Sequence, residues 1–129
     1  MAVNSAALAD PSLITRLAER LGSQSVVIAI DAATHPDGGW RVRGVAATEE
    51  TGRDAVAWAR EAVERGAGEV LLTSIDRDGT RAGYDLGLNR AVADAVRVPV
   101  IASGGGGSVD DVAAVLTDGG ASAALRRPT

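Results

Sequence analysis

The feature that most constrains the fold is a regular alternation between short apolar runs and amphipathic segments. Three runs, SVVIAID (25–31), EVLLTSID (69–76) and VPVIASGG (98–105), are rich in β-branched and aliphatic residues, and SAAL (122–125) begins a fourth. Near-continuous apolar runs of this length are typical of strands buried on both faces. The segments between them carry apolar residues at helical spacing. This order predicts an α/β fold with a parallel sheet and right-handed crossovers.

Length and composition favour one domain and exclude several classes of protein. The 129 residues suit a single domain, 1–129, with strands at about 25–31, 69–76, 98–104 and 122–126. The chain contains no cysteine, which excludes disulfides and thiolate metal sites. The net charge of −4, without a basic tract, disfavours nucleic acid or an anionic membrane as a partner. We expect no metal, no cofactor and, without a recognisable signal peptide or long apolar run, a cytoplasmic location.

The longest interruption of the alternation is the polar segment 32–51, which contains the single histidine, His35. A structureless connection of this length is uncommon in a compact domain. The segment is therefore either a mobile loop over a site or a short extra hairpin, and we assign no role to His35.

Polar residues cluster directly after the predicted strands. Asp31 follows VVIAI, Asp76 and Asp78 follow LLTSI, and the run SGGGG (103–107) follows VPVIA. Ligands of parallel α/β proteins bind at this edge, because the following helices point their N-termini towards it. Partial burial would raise the pKa of Asp31 and suit acid/base work, and the glycines would admit a phosphate. From position alone, three other interpretations remain open: an ordinary capping carboxylate at Asp31, a solvated Asp-rich turn at residues 76–78 and a flexible glycine loop.

The sequence resembles the cyclase subunit of imidazole glycerol phosphate synthase, an enzyme of histidine biosynthesis. The resemblance rests on GSQSVVIAIDA (22–32), on the stretch 50–85, which includes GEVLLTSIDRDGTRAGYD, on VPVIASGG (98–105) and on NSAALADPSLI (4–14). It implies the second half of a TIM (β/α)8 barrel, a parallel half-barrel that is incomplete at the last strand. It also implies a lyase that closes an imidazole ring on a bis-phosphorylated ribulosyl substrate, with ammonia supplied by a glutaminase partner.

The resemblance assigns roles to particular residues. Asp31 matches one of two catalytic aspartates, a general acid/base. Positions at the two substrate phosphates are matched by Asn4 and Ser5 at one and by Asp78, Gly79, Gly104 and Gly105 at the other. Thr73 and Ser103 match polar residues that line the substrate cleft, and Glu69 matches a charged residue of the gate through which ammonia enters the barrel.

The chain also departs from the family pattern. The other catalytic aspartate belongs to the first strand of the barrel, which this sequence does not contain, so we expect no cyclase activity from the chain alone. An open half-barrel exposes an apolar face and sheet edges, which predicts self-association. Two alternatives stay open: a non-catalytic half-barrel that binds phosphorylated sugars, and half of the related phosphoribosyl isomerase.

The last four residues, RRPT after Leu125, interrupt the predicted last strand. Arg126 and Arg127 would point to opposite faces of a strand, and one of them would be buried without a partner. We therefore interpret RRPT as a truncated or frameshifted end. The alternatives are a solvated tail and a pair of arginines that clamps a phosphate.

Overall fold

The structure is a computed structural model that describes the backbone of residues 2–44 and 49–125 and the side chains of residues 2–44 and 51–125. Within these residues strands and helices alternate, as the sequence predicts. The elements in chain order are β1 (Ala2–Val3), α1 (Ser5–Ala9), α2 (Ser12–Leu21), β2 (Val27–Thr34), β3 (Trp40–Gly44), β4 (Glu49–Asp54), α3 (Ala55–Glu64), β5 (Glu69–Ser74), α4 (Leu86–Ala95), β6 (Val100–Ser103), α5 (Val109–Thr117) and β7 (Ala123–Ala124). No helix among the described residues is long and apolar enough to cross a membrane.

All the described strands form one sheet, in the order β4-β3-β2-β5-β6-β7, and β1 also pairs with β2. The pairs β1–β2, β2–β5, β5–β6 and β6–β7 are parallel. Helices α3, α4 and α5 connect successive strands from β4 onwards. The fold is therefore a mostly parallel sheet with alternating helices, which confirms the predicted α/β class and is the arrangement of half a (β/α) barrel.

The segment 32–51 gives the extra hairpin that the sequence left as one of two options. β3 pairs antiparallel with the end of β2, and β4 pairs antiparallel with β3. Strand β2 is consequently longer than predicted and runs to Thr34, since its last four residues pair with β3. The other strands are shorter than predicted: β5 ends at Ser74, and β6 begins after Pro99. The predicted last strand is described only over β7, and Arg126 and Arg127 lie outside the described residues.

The two faces of the parallel strands differ in burial. On one face Ile28, Ile30, Val70, Leu72, Val100 and Ala102 are at most 2% exposed, because helices cover them. On the opposite face Val27, Ala29, Asp31, Glu69, Leu71, Thr73, Ile101 and Ser103 are only partly buried. The first will be called the helix face and the second the open face. The sequence prediction that both faces are covered is thus wrong for this chain, since no described element packs over the open face.

The helices that follow β4, β5 and β6 begin at side-chain caps. Asp54 accepts a hydrogen bond from the backbone N–H of Ala57, Asp85 accepts one from Leu88, and Ser108 accepts one from Asp111. Each cap satisfies a backbone donor that the first turn leaves free. These caps fix the helix N-termini at the edge of the sheet where the strands end.

Candidate functional site

A row of polar side chains crosses three neighbouring strands on the open face. Asp31 of β2 pairs in register with Thr73 of β5, and Thr73 pairs with Ser103 of β6. Residues paired in this way point to the same face of a sheet. Each lies at or near the carboxyl end of its strand, the edge at which parallel α/β proteins bind ligands. The structure thus brings together three residues that the sequence marked as separate candidates.

Asp31 has the altered acidity that the sequence analysis expected. Partial burial raises the pKa of its carboxyl group, and the negative charge of Asp78 acts in the same direction. A hydrogen bond with the side chain of Asn4 acts in the opposite direction, because it stabilises the carboxylate. Asn4 follows β1 directly and therefore lies beside β2. A carboxyl group with a raised pKa exchanges protons more readily near neutral pH.

The two aspartates after β5 have different positions. The carboxylate of Asp76 accepts a hydrogen bond of 2.7 Å from the backbone N–H of Thr34 and so joins this turn to the end of β2. Asp78 instead acts on Asp31 through its charge. The backbone N–H of Asp78 donates to the carbonyl of Ser74, which closes a tight turn after the strand. Asp76 therefore links the turn after β5 to the end of β2, whereas the charge of Asp78 acts on Asp31.

The glycines of the predicted phosphate cradle fall into two classes. Gly79 has φ +80° and open space where a Cβ would lie. A Cβ on Gly104, with φ +90°, would lie 2.6 Å from the carbonyl oxygen of Ser74, and one on Gly105 would contact the carbonyl of Gly83. Glycine is thus required at positions 104 and 105 by packing, whereas at position 79 only the positive φ favours it.

The remaining predicted residues lie further from the row. Glu69 shares the open face but is four residues before Thr73, which places it about 13 Å away, near the opposite edge of the sheet. Ser5 is the first residue of α1, next to Asn4. In the part of the chain that the structure describes, no group of three His, Cys, Asp or Glu side chains is arranged to hold a metal ion.

Sequence reasoning missed two features of this site. The hydrogen bond between Asn4 and Asp31 joins residues far apart in sequence, and no local pattern signals it. The hairpin also brings Arg43 opposite Asp31, on the same face. The alternation in WRVRG (40–44), with Trp40 and Val42 on one side and two arginines on the other, was the available signal for a strand with one polar face.

The fold and the row define the class of the protein: a parallel β/α protein whose polar candidates lie at the carboxyl ends of its strands. Within that class, residues 1–126 match the sequence model of the family described as "Histidine biosynthesis protein". The chain therefore belongs to the histidine biosynthesis protein family.

Three curated relatives carry the name "Imidazole glycerol phosphate synthase subunit HisF". The relative from Myxococcus xanthus (strain DK1622) is 61% identical over 125 residues, which is 97% of this chain and 49% of that protein. The relative from Symbiobacterium thermophilum is 56% identical over 97% of this chain and 49% of its own length. The one from Synechococcus sp. (strain CC9311) is 56% identical over 92% of this chain and 45% of its own length. The chain spans about half the length of the curated relatives it matches.

Proposed function

We propose that the chain carries one half of the active site of an imidazole glycerol phosphate synthase cyclase subunit. In this proposal the complete site closes an imidazole ring on the phosphoribulosyl-formimino aminoimidazole carboxamide ribotide. Its products are imidazole glycerol phosphate and aminoimidazole carboxamide ribotide. The single observation that carries the proposal is the register of Asp31, Thr73 and Ser103 on one face, in a chain up to 61% identical to proteins with that name.

Asp31 is the proposed general acid/base. Its carboxyl group is partly buried, its pKa is raised, and Asn4 fixes its orientation by a hydrogen bond. A group whose pKa lies closer to neutrality than that of an ordinary aspartate is more effective at both accepting and donating a proton. Thr73 and Ser103 lie level with it, where their hydroxyl groups would contact the substrate next to the reacting atoms.

The substrate's phosphate groups have two proposed positions. The first position lies in the turns that follow β5 and β6 and consists of Asp78, Gly79, Gly104 and Gly105. Asn4 and Ser5, after β1, form the second. The positive φ of the three glycines supports the first position, because a backbone without side chains can approach a bound group closely.

The proposed ammonia source is a glutaminase partner at the opposite edge of the sheet. Glu69, at the start of β5, shares the open face with Asp31. Ammonia that passes along this face from the edge where the strands begin would therefore reach the carboxylate of Asp31. The relatives' name calls each of them a subunit, which implies a partner for those proteins.

Turnover by a reconstituted enzyme tests this proposal. The chain would be mixed with a polypeptide that comprises the first half of the Myxococcus xanthus relative, and formation of imidazole glycerol phosphate would be followed with ammonium as the nitrogen source. We expect turnover from the mixture, none from either part alone, and a loss of about 10²–10⁴-fold for Asp31→Asn.

One control variant and three alternative outcomes decide how this experiment is interpreted. Asp76→Asn should retain turnover, because Asp76 bonds the backbone of Thr34 and not the substrate. Unchanged activity in Asp31→Asn would remove Asp31 from the reaction. A folded mixture that binds the substrate without turnover would instead indicate a half-barrel that only binds phosphorylated sugars. Turnover of the isomerase's substrate would indicate the phosphoribosyl isomerase, which the relatives' names disfavour.

A further inference from the structure

The glycine run, residues 104–107, packs along the loop that joins β5 to α4, residues 75–85. At each of the four positions an added Cβ would lie too close to this loop, or to the last residue of β5, to be accommodated without movement. The contacts are Gly104 with the carbonyl of Ser74, Gly105 with the carbonyl of Gly83, Gly106 with the hydroxyl of Tyr84 and Gly107 with the Cβ of Arg81. The shape of the glycine run therefore depends on the loop before α4.

Tyr84 links this loop to the end of the sheet as well as to the glycine run. It is 2% exposed, and its hydroxyl group donates a hydrogen bond of 2.6 Å to the carbonyl of Leu125, directly after β7. The N–H of Leu125 donates in turn to the carbonyl of Ala102, two residues before the glycine run, at 2.7 Å. The phenol ring thus extends from the loop, past Gly106, to the end of the strand beside β6.

The neighbours of Gly106 are held by hydrogen bonds of their own backbone. The carbonyl of Gly105 accepts one from the N–H of Gly83 at 2.8 Å, and the N–H of Gly107 donates one to the carboxylate of Asp111 at 2.9 Å. Gly106 lies between them, against the Tyr84 hydroxyl. The hydrogen bond to Leu125 fixes the position of that hydroxyl, so its loss would be transmitted to the middle of the glycine run.

We propose that the hydroxyl group of Tyr84 positions the glycine run. It holds the backbone of residues 104–107 in the conformation that the candidate phosphate position requires. Tyr84 acts through these residues and does not contact a ligand, because its side chain is buried. This inference rests on the proposed function, since it assigns a positioning residue to the same site.

The structure offers one competing role for Tyr84. The residue belongs to a small apolar cluster with Ala102, Val115 and Ala121, so it also contributes to packing between β6 and α5. The two roles differ in their readouts. A packing role affects the melting temperature alone, whereas a positioning role also affects the dissociation constant of a phosphorylated ligand.

The test is an NMR titration of the isotope-labelled full chain with ribose 5-phosphate, at a temperature well below the melting temperature of every variant. Tyr84→Phe removes only the hydroxyl group and keeps the ring. We expect it to shift the amide signals of residues 104–107 before any ligand is added. It should also weaken binding of ribose 5-phosphate by about three- to ten-fold, as expected for the loss of one hydrogen bond.

Thr15→Val is the matched control. The hydroxyl of Thr15 in α2 donates a hydrogen bond of 2.9 Å to the carbonyl of Arg65, after α3, so this variant loses a bond of the same kind away from the glycine run. It should lower the melting temperature and keep the dissociation constant within about two-fold of the wild-type value. Equal weakening in both variants, or a lower melting temperature in Tyr84→Phe with unchanged binding, would overturn the inference.

Hydrogen exchange of the wild type gives a second measurement that needs no variant. If Tyr84 couples the glycine run to the end of β7, bound ribose 5-phosphate should slow amide exchange at residues 104–107 and also at Leu125, whose N–H bonds Ala102. Slower exchange in the glycine run with no change at Leu125 would contradict the coupling.

The proposed function and this inference fail in different ways. If the wild type binds ribose 5-phosphate with shifts at Gly79 and Gly104, but Tyr84→Phe binds it equally well, only the inference is wrong. If the wild type does not bind the probe, or binds it without shifts in the glycine run, the candidate phosphate position is wrong and the inference falls with it.

Discussion

The helix face and the open face of the same sheet are built from alternate residues of the same strands, yet they differ in both packing and chemistry. In β5, Val70, Leu72 and Ser74 point to the helix face and are buried, whereas Glu69, Leu71 and Thr73 point to the open face and are partly exposed. The helix face carries the core, including Trp58 of α3 and Leu88 of α4. The open face carries Asp31, Thr73 and Ser103.

Under the proposed function, this difference would separate residues that stabilise the fold from residues of the candidate site within each strand. A change at one residue affects the packed core, and a change at the next affects the candidate site. If substitutions at neighbouring residues of one strand changed stability and ligand binding equally, the two faces would not differ in role. Matched pairs of substitutions therefore test the difference between the faces.

The largest expected effect concerns the packing of β5. Leu72→Ala should lower the free energy of unfolding by about 2–5 kcal/mol, because Leu72 is fully buried and its removal leaves a cavity. Leu71→Ala, one residue away on the open face, should cost less by at least about 1 kcal/mol, since Leu71 is only partly buried. Urea unfolding measures both values. Equal losses would mean that the two faces are equally packed.

A second comparison concerns two glycines of the candidate phosphate position. Gly104→Ala should cost more than about 2 kcal/mol of stability, because the added Cβ meets the carbonyl of Ser74 in a backbone that already has φ +90°. Gly79→Ala should cost only about 1 kcal/mol, from the positive φ alone. Thermal melting of the two variants distinguishes them, and a reversed order would contradict the described turn.

A third prediction concerns self-association through the open face. Because this face includes the partly exposed apolar side chains of Leu71 and Ile101, we expect the chain to form concentration-dependent dimers or larger species. Ile101→Glu should shift the population to monomers, whereas the exposed Val109→Glu on α5 should not. Sedimentation velocity over a hundred-fold range of concentration measures this. A monomer at every concentration, or a shift only with Val109→Glu, would show that the open face is not the contact.

The smallest expected effect is the pH dependence that Asp31 contributes. Burial raises its pKa in the folded state above the ordinary aspartate value of 3.8, so the folded chain binds this proton more tightly than the unfolded chain does. The free energy of unfolding should therefore fall as pH rises from about 3.8 through the raised pKa, and Asp31→Asn should remove this component. The stability of Asp31→Asn relative to the wild type should rise over that interval and then stay constant. A difference that falls with rising pH would show that the pKa is lowered.

Part of this fold was accessible from the sequence, and the reasons are local. The apolar runs that became β2, β5 and β6 are continuous, and Asp85 and Ser108 are strong helix caps that end the preceding loops. Strand lengths were less predictable, because pairing with β3 extends β2 to Thr34 and this pairing depends on a distant segment.

The site was only partly predictable, because it also depends on contacts between segments that are distant in sequence. Position after a strand marked Asp31 and Ser103 as candidates, and the structure places both in register with Thr73 on one face, since strand ends share one edge of a parallel sheet. Position did not distinguish Asp76, which bonds the backbone of Thr34, from Asp78, which acts on Asp31. The partners of both aspartates are brought together only by the tertiary fold.

The most direct test of the central claim is to map a bound sugar phosphate onto the two faces by NMR. Amide signals of the isotope-labelled chain would be recorded during titration with ribose 5-phosphate. The account predicts that the shifts concentrate at Asp31, Thr73, Gly79, Ser103 and Gly104, with the indole signal of the buried Trp58 unchanged. Shifts confined to the helices, or spread equally over both faces, would contradict the claim that the open face holds the ligand site.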